Sequence, residues 1–307
     1  MVNLKEIGLK KQRLAPGHRT CAGCGIPTII RTVLSATDKP VVVSNATGCL
    51  EVTTTIYPYT SWKVPYIHNA FENAAATLSG VETAYRVLKK KKKIKKEIKF
   101  VAFGGDGGTY DIGLQSLSGA LERGHDFLYV CYDNEAYMNT GVQRSSATPY
   151  GASTTTAPAG KVHKGKEETR KDFTKIVVAH HIPYVAQASG YNWNDLYRKA
   201  KKGFEAKGPA FINVIQPCQV GWKYDPAITI KLAKLAVETR FWPLYEVENG
   251  VYKLNYKPSK FVPVEKFLKP QRRFRHVFRK GNEWLLKKIQ EDVDRNWEEI
   301  LGLCGEK

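Results

Sequence analysis

Short β-branched runs alternate along this chain with longer stretches whose apolar residues recur every three or four positions. The first kind predicts strands: PVVVSN (40–45), KFVAFG (99–104), FLYVCYD (127–133), PYVAQA (183–188) and AFINVIQ (210–216). The second predicts helices over 26–36, 71–90, 111–123, 173–181 and 193–206. In the 71–90 stretch Phe71, Ala74, Ala75, Leu78, Val81, Tyr85 and Leu88 share one face, and the small residues among them permit close packing. Strands alternating with helices predict an α/β protein, a parallel sheet with helices on both faces.

Two segments depart from that rhythm. Residues 137–171 form a long Ser-, Thr-, Gly- and Pro-rich stretch, and a loop of that length inside an α/β unit is usually functional or disordered. From residue 227 the βαβ alternation stops and Lys, Arg and aromatic residues become frequent. We expect a domain over 1–226 and a basic C-terminal extension over 227–307, packed on the domain or on a partner subunit. The extension ends in a predicted helix, 282–303, with Leu285, Ile289, Val293, Trp297 and Ile300 on one face.

Composition narrows the class. The 307 residues are 42% hydrophobic and 25% charged, enough for a sizeable core and unlike a disordered chain. No apolar run is long enough to span a membrane, and the N-terminal residues lack the apolar stretch of a signal peptide, so a cytoplasmic protein is expected. Lys and Arg outnumber Asp and Glu by 48 to 29, for a net charge of +19, which suggests an acidic partner. The lysine run 89–96 is explained by its place at a helix end, where cations complement the helix dipole. Six cysteines do not make a disulfide scaffold, and the Cys21-x-x-Cys24 pair points to a metal, a cluster or redox chemistry.

The densest signal lies where the strand at 99–104 runs into Gly104-Gly105-Asp106-Gly107-Gly108. Glycines at the carboxyl end of a strand let backbone N–H groups approach an anion. A carboxylate inside such a cradle would repel phosphate unless a cation lay between them, and Mg²⁺ suits oxygen ligands and diphosphate together. Asn134, 28 residues after Asp106, follows the next predicted strand in YVCYDNEAYMNTG and could give a second oxygen. A tight glycine turn capped by Asp106 is the plain alternative. No P-loop sequence and no G-x-G-x-x-G opening a helix is present, so neither nucleotide-binding motif has support.

Gly-Asp-Gly followed at that interval by a strand ending in Asp-Asn resembles the thiamine diphosphate signature. The resemblance implies that Asp106, Asn134 and the carbonyl of Ala136 bind Mg²⁺ and that Gly105, Asp106, Gly107 and Gly108 cradle the diphosphate. Glu135, Tyr137, Met138 and Asn139 complete the implied cofactor-binding run, with Cys49 beside it. Together GHRTCAGCG (17–25), NATGCLE (45–51), YPYTSWKVPYIHNAFENAAATLSGVE (57–82) and IQPCQVGW (215–222) resemble the thiamine-binding β subunit of pyruvate:ferredoxin oxidoreductases over most of residues 14–225.

In that family four cysteines hold one [4Fe–4S] cluster near the thiazolium, and the matching positions are Cys21, Cys24, Cys49 and Cys218. A Cys₄ zinc site has the same ligand count and is the competing assignment. Cys131, inside a strand, reads as a core thiol, and Cys304 matches no role. Ile26 stands where many relatives carry Glu.

The resemblance further implies oxidative decarboxylation of a 2-oxoacid with coenzyme A and ferredoxin, and the reverse reaction. Asn139 matches the residue that meets the substrate at its reactive carbon, although its Thr-Gly neighbours equally suit a turn. The second thiamine-binding domain and the ferredoxin-like relay have no counterpart in this sequence. Alpha, gamma and delta-type subunits are therefore the expected partners, with no nucleic acid and no membrane. Pyruvate is the first expectation for substrate; branched-chain 2-oxoacids, 2-oxoglutarate and arylglyoxylates are alternatives. Two other classes compete: a basic zinc-binding nucleic-acid protein and a thiamine-type scaffold that only relays electrons. Lys89 to Lys96 and the Arg272, Arg273, Arg275 group are the candidate patches for an acidic ferredoxin, with a solvated surface as the plain alternative.

Overall fold

A computed structural model describes residues 3–306. Eight strands form one sheet: β1 (Val41–Ala46), β2 (Tyr66–Asn69), β3 (Lys99–Gly105), β4 (Leu128–Asp133), β5 (Tyr184–Ser189), β6 (Ala210–Ile215), β7 (Leu244–Glu248) and β8 (Val251–Tyr256). Their order is β2-β1-β3-β4-β6-β5-β7-β8, parallel from β2 through β5. The central strands are buried on both faces, so they read as continuous apolar runs. Alternate residues divide between two cores. Val101, Phe103, Val130 and Ile212 face the helices Ile26–Ser35 and Trp193–Glu205. Ala102, Tyr129, Cys131 and Phe211 face Ala74–Lys90, Leu114–Glu122 and Phe173–Val178.

Each of the five predicted strands and each of the six predicted helices lies within a few residues of an observed element. The tail beyond 227 differs from expectation. Rather than leaving the sheet, it closes one edge with the hairpin β7–β8, whose β7 runs antiparallel to β5. LYEVE and VYKLNY alternate in character, and Asn249-Gly250 between them both have positive φ (51° and 84°), as a type I′ turn requires. The terminal helix Glu283–Leu303 buries Leu285, Ile289, Val293, Trp297 and Ile300 against this chain. Among the described residues no helix is long and apolar enough to cross a membrane.

Chain direction changes sides between β1 and β3. From β1 the chain moves outward to β2; from β3 it moves the other way to β4. At such a switch point the loops leaving two adjacent parallel strands diverge, which opens a crevice at their carboxyl ends.

Candidate functional site

The crevice at the carboxyl ends of β1, β3 and β4 holds the predicted constellation. Thr47, Gly48 and Cys49 follow β1, Gly105, Gly107 and Gly108 stand at the end of β3, and Asn134 and Ala136 to Asn139 follow β4; together they line a narrow cleft of about 20 Å³. That is room for about one water, too little for a cofactor. The backbone after Asp106 enters a single π-helical turn, Gly107–Asp111, a distortion common at functional sites. Gly107 is required by space: a Cβ there would lie 2.3 Å from the Tyr137 ring.

Three oxygens converge below the cleft. The Asn134 side-chain oxygen lies 2.9 Å from Asp106 Oδ1 and 2.8 Å from the Ala136 carbonyl oxygen. Turning the carboxamide over would give it two hydrogen bonds; left as it stands, it faces only acceptors. Adjacent oxygens of an octahedral Mg²⁺ shell, at ~2.1 Å from the metal, are themselves about 2.9 Å apart. The neighbouring groups are already occupied. Trp222 Nε1 donates to the Asn134 carbonyl at 2.8 Å and Thr148 Oγ1 to the Glu135 carbonyl at 2.6 Å. No donor among the described residues reaches the Ala136 carbonyl. Burial, and then the neighbouring Asp133, push the Asp106 pKa well up; Ser145 Oγ, donating to Oδ2 at 2.5 Å, and the Asn134 N–H, donating to Oδ1 at 3.2 Å, pull it back. A buried carboxylate grouped with an amide oxygen and a free carbonyl fits a divalent cation.

Glu135 is placed differently from the sequence reading. Its backbone takes a positive φ of 68°, rare without glycine, which turns its side chain away from the cleft. The fully buried carboxylate receives Arg170 Nη1 at 2.7 Å and also Arg273 Nη2, so it props the loop from behind the cleft. Asp133 accepts from Tyr110 at 2.6 Å and pairs with Arg170. Sequence reasoning missed Tyr110, Ser145, Thr148, Arg170 and Arg273. Tyr110 stands two residues past Gly108, but the others lie far from the glycine motif in sequence, and only the fold shows that the Ser/Thr-rich segment wraps beneath it. Arg273 is buried, so it drops out of the proposed ferredoxin patch.

The cysteines gather beside the same cleft. Cys21 and Cys24 lie in a turn closed by Cys24 N–H donating to the Cys21 carbonyl at 3.0 Å. Gly23 has φ +75°, and a Cβ there would meet Pro226 at 2.6 Å, so the turn sits hard against the segment after Cys218. Gln219 Nε2 donates to the Ala22 carbonyl at 2.7 Å and ties the two loops together. Burial raises the Cys24 and Cys49 thiols to about 12, and the charges of Cys21 and Cys218 add to both shifts. Among the described residues no three His, Cys, Asp or Glu side chains crowd closely enough for a single metal ion. Cys24 and Cys49 thus lie close enough to Cys21 and Cys218 to feel them. Cys131 is a buried core thiol, and Cys304 lies near the end of the terminal helix, away from this group.

Comparison with known proteins agrees with this geometry. Residues 46–214 match the family model for the C-terminal TPP-binding domain of thiamine pyrophosphate enzymes. A pyruvate synthase subunit PorB of Methanocaldococcus jannaschii is 55% identical over 96% of this chain and 98% of its own length. The PorB subunit of Thermotoga maritima is 54% identical over 97% of this chain and 93% of its own. This chain belongs to the PorB family. A ketoisovalerate oxidoreductase subunit VorB of Pyrococcus abyssi is more distant, 45% identical over 91% of this chain and 90% of its own. A 2-oxoglutarate:ferredoxin oxidoreductase of Magnetococcus marinus, solved with 2-oxoglutarate, coenzyme A and succinyl-CoA, shares the fold. Its TM-score is 0.56 at 20% identity, covering 72% of this chain and 79% of that one. With 96% and 97% of this chain covered, the PorB matches extend well beyond the parallel sheet into the tail.

Proposed function

We propose that this chain is the thiamine diphosphate-binding β subunit of a pyruvate synthase, a pyruvate:ferredoxin oxidoreductase. The reaction is CoA-dependent oxidative decarboxylation of pyruvate to acetyl-CoA and CO₂, with electrons passed to ferredoxin, and its reverse. One observation carries the reading: the oxygens of Asp106, Asn134 and Ala136 converge at two strand ends in a chain about half identical to PorB subunits along its length.

In this reading those oxygens would hold Mg²⁺, and the backbone of Gly105, Gly107 and Gly108 would receive the diphosphate. Bound there, thiamine diphosphate would supply the carbanion chemistry that releases the carboxyl group of a 2-oxoacid. The chain's own residues orient and neutralise. Ser145 holds one Asp106 oxygen and leaves the other toward the cation, while Arg170 and Arg273 fix the loop through Asp133 and Glu135. Tyr137 and Met138 flank the cleft, and Asn139 stands exposed at its rim, where its amide could donate to a developing negative oxygen without adding charge.

Cys21, Cys24, Cys49 and Cys218 would hold one [4Fe–4S] cluster. The gathering of these four thiols beside the thiamine cleft supports the cluster. Partner subunits would complete so small a cleft, in keeping with a hetero-oligomer of alpha, gamma and delta-type chains. Pyruvate is preferred on the weight of the PorB relatives; 2-oxoisovalerate is the second reading, favoured by the VorB relative.

The test is metal analysis and the visible spectrum of the chain purified without oxygen, followed by assay of the assembled enzyme with both 2-oxoacids. About four irons and a broad absorption band support the cluster. Zinc without iron would overturn it, and faster CoA-dependent turnover of 2-oxoisovalerate would overturn the choice of pyruvate.

A further inference from the structure

The tail gathers cations that the site above does not use. Arg272, Arg275 and Arg279 stand exposed along one short helical stretch, and Lys223 faces them from the end of Gln219–Trp222. With the buried Arg273 and His276 they wall a cavity of about 320 Å³ that no carboxylate lines. Among the described residues none of Lys223, Arg272, Arg275 and Arg279 has a salt-bridge partner within 4 Å. Half-buried lysines elsewhere are matched: Lys175 meets Asp172 and Glu299, and Lys202 meets Glu246 and Glu248. Four uncompensated like charges around one hollow repel one another, and a surface kept for solubility would mix both signs.

The walls are built rather than loosely assembled. Lys223 holds a positive φ of 58°, a strained choice for a residue with a Cβ, and its carbonyl receives the Arg272 N–H at 3.3 Å. His276 keeps Nε2 on the Lys164 carbonyl at 2.9 Å, which leaves the guanidinium and ammonium groups as the binding heads.

We propose that this cavity binds a small ligand carrying two or more phosphate groups, such as a nucleoside diphosphate. Arginine forks match phosphate oxygens in pairs, and three of them with one lysine can neutralise a diphosphate where one phosphate would leave charge unmatched. The hollow is concave and larger than a single phosphate needs, which favours a small ligand over the broad face of an acidic protein. It is also separate from the thiamine cleft, with which it shares no lining residue. It is nonetheless connected to that cleft. Arg273 shares the Arg272–Arg275 turn and reaches inward to Glu135, between Asn134 and Ala136, so a bound anion would sit one residue from the arginine that props the oxygen triad.

The experiment is calorimetric titration of the assembled enzyme, saturated beforehand with thiamine diphosphate and Mg²⁺, using pyrophosphate and ADP as probes. Saturable binding of one pyrophosphate per copy of this chain is expected, with orthophosphate at least tenfold weaker. The double variant Arg272→Gln/Arg279→Gln should weaken pyrophosphate by about tenfold or more, since each loses charge-assisted hydrogen bonds, and should bind thiamine diphosphate as the parent does. The proposal is overturned if neither probe saturates, if the double variant binds pyrophosphate like the parent, or if orthophosphate binds equally well. It is equally overturned if the variant loses only its affinity for an acidic ferredoxin, which would make the hollow part of a protein-docking face. None of these results depends on whether the thiamine assignment holds.

Discussion

Burial sets the character of Asp106 more than any neighbour does, and a cation is what would relieve it. Asp106→Asn and Asn134→Ala should each weaken Mg²⁺–thiamine diphosphate binding severely while the chain stays folded. Ser145→Ala should weaken it by about 10–100-fold, the usual effect of removing a residue that orients a metal ligand. Calorimetry of the assembled enzyme checks all three, and unchanged affinity in the Asp106 or Asn134 variant would remove the metal assignment. Arg170 is a different case: it neutralises Asp133 and Glu135 together and lies 4.8 Å from the centre of the Trp242 ring. Arg170→Met should cost about 3–5 kcal/mol of stability, because it leaves the buried Asp133 without a charged partner and Glu135 with Arg273 alone. Chemical denaturation measures this, and a loss below about 1 kcal/mol would mean the network relaxes around the gap. The proposed cation ligands Asp106 and Asn134 could be read from residue type and strand position, and Ala136 only from the family resemblance. The residues that hold them could not, because an arginine or a serine carries no sequence mark of the carboxylate it will meet.

The long segment 137–171 shows how an element without regular structure can still be ordered. Lys166 Nζ donates to the carbonyls of Thr148 (2.6 Å), Ser146 (3.3 Å) and Thr169 (3.3 Å), which fixes the stretch that brings Ser145 to Asp106. Burial, then Arg144 and Arg170, lower the Lys166 pKa to about 8 from its ordinary 10.5. The unfolded chain therefore holds this proton up to a higher pH than the folded one. The charged ammonium costs stability below about pH 8, and the cost is relieved as pH rises from 8 toward 10.5. The parent should thus gain stability relative to Lys166→Met between pH 8 and 10. A pH-independent difference between their denaturation midpoints would contradict the assignment. Composition marked this segment as exceptional but could not say what it does, since its order comes from contacts made after the sheet forms. The β7–β8 hairpin was legible and was missed. Asn249-Gly250 between two alternating runs is a strong local signal, but the end of βαβ alternation at 227 was read as the end of the sheet. The stripe on Glu283–Leu303 was legible because helical spacing fixes a buried face whatever it packs against.

At the scale of the whole molecule, parallel topology brings distant sequence to one sheet edge. Cys21 and Cys218 lie at opposite ends of the sheet-forming sequence, yet Gln219 ties their loops together, and Cys49 lines the thiamine cleft itself. Cofactor and cluster would then occupy neighbouring ends of one sheet, with an electron path inside a single chain. Cys218→Ser should lose cluster iron and ferredoxin reduction while thiamine diphosphate binding persists, because the two groups use different ligands. Iron content and low-temperature electron paramagnetic resonance of the reduced enzyme read the loss; a full signal would exclude Cys218 as a ligand. The chain's +19 charge is spread over the surface, so docking of an acidic carrier would be felt mainly as an encounter rate that falls with salt. The most direct test of the account is pyruvate- and CoA-dependent reduction of ferredoxin by the enzyme assembled without oxygen, measured for the parent and for Asp106→Asn. The account predicts turnover by the parent and none by the variant, with assembly intact in both. Parent-like turnover by Asp106→Asn, or no pyruvate-dependent reduction by a parent loaded with iron and thiamine diphosphate, would contradict it.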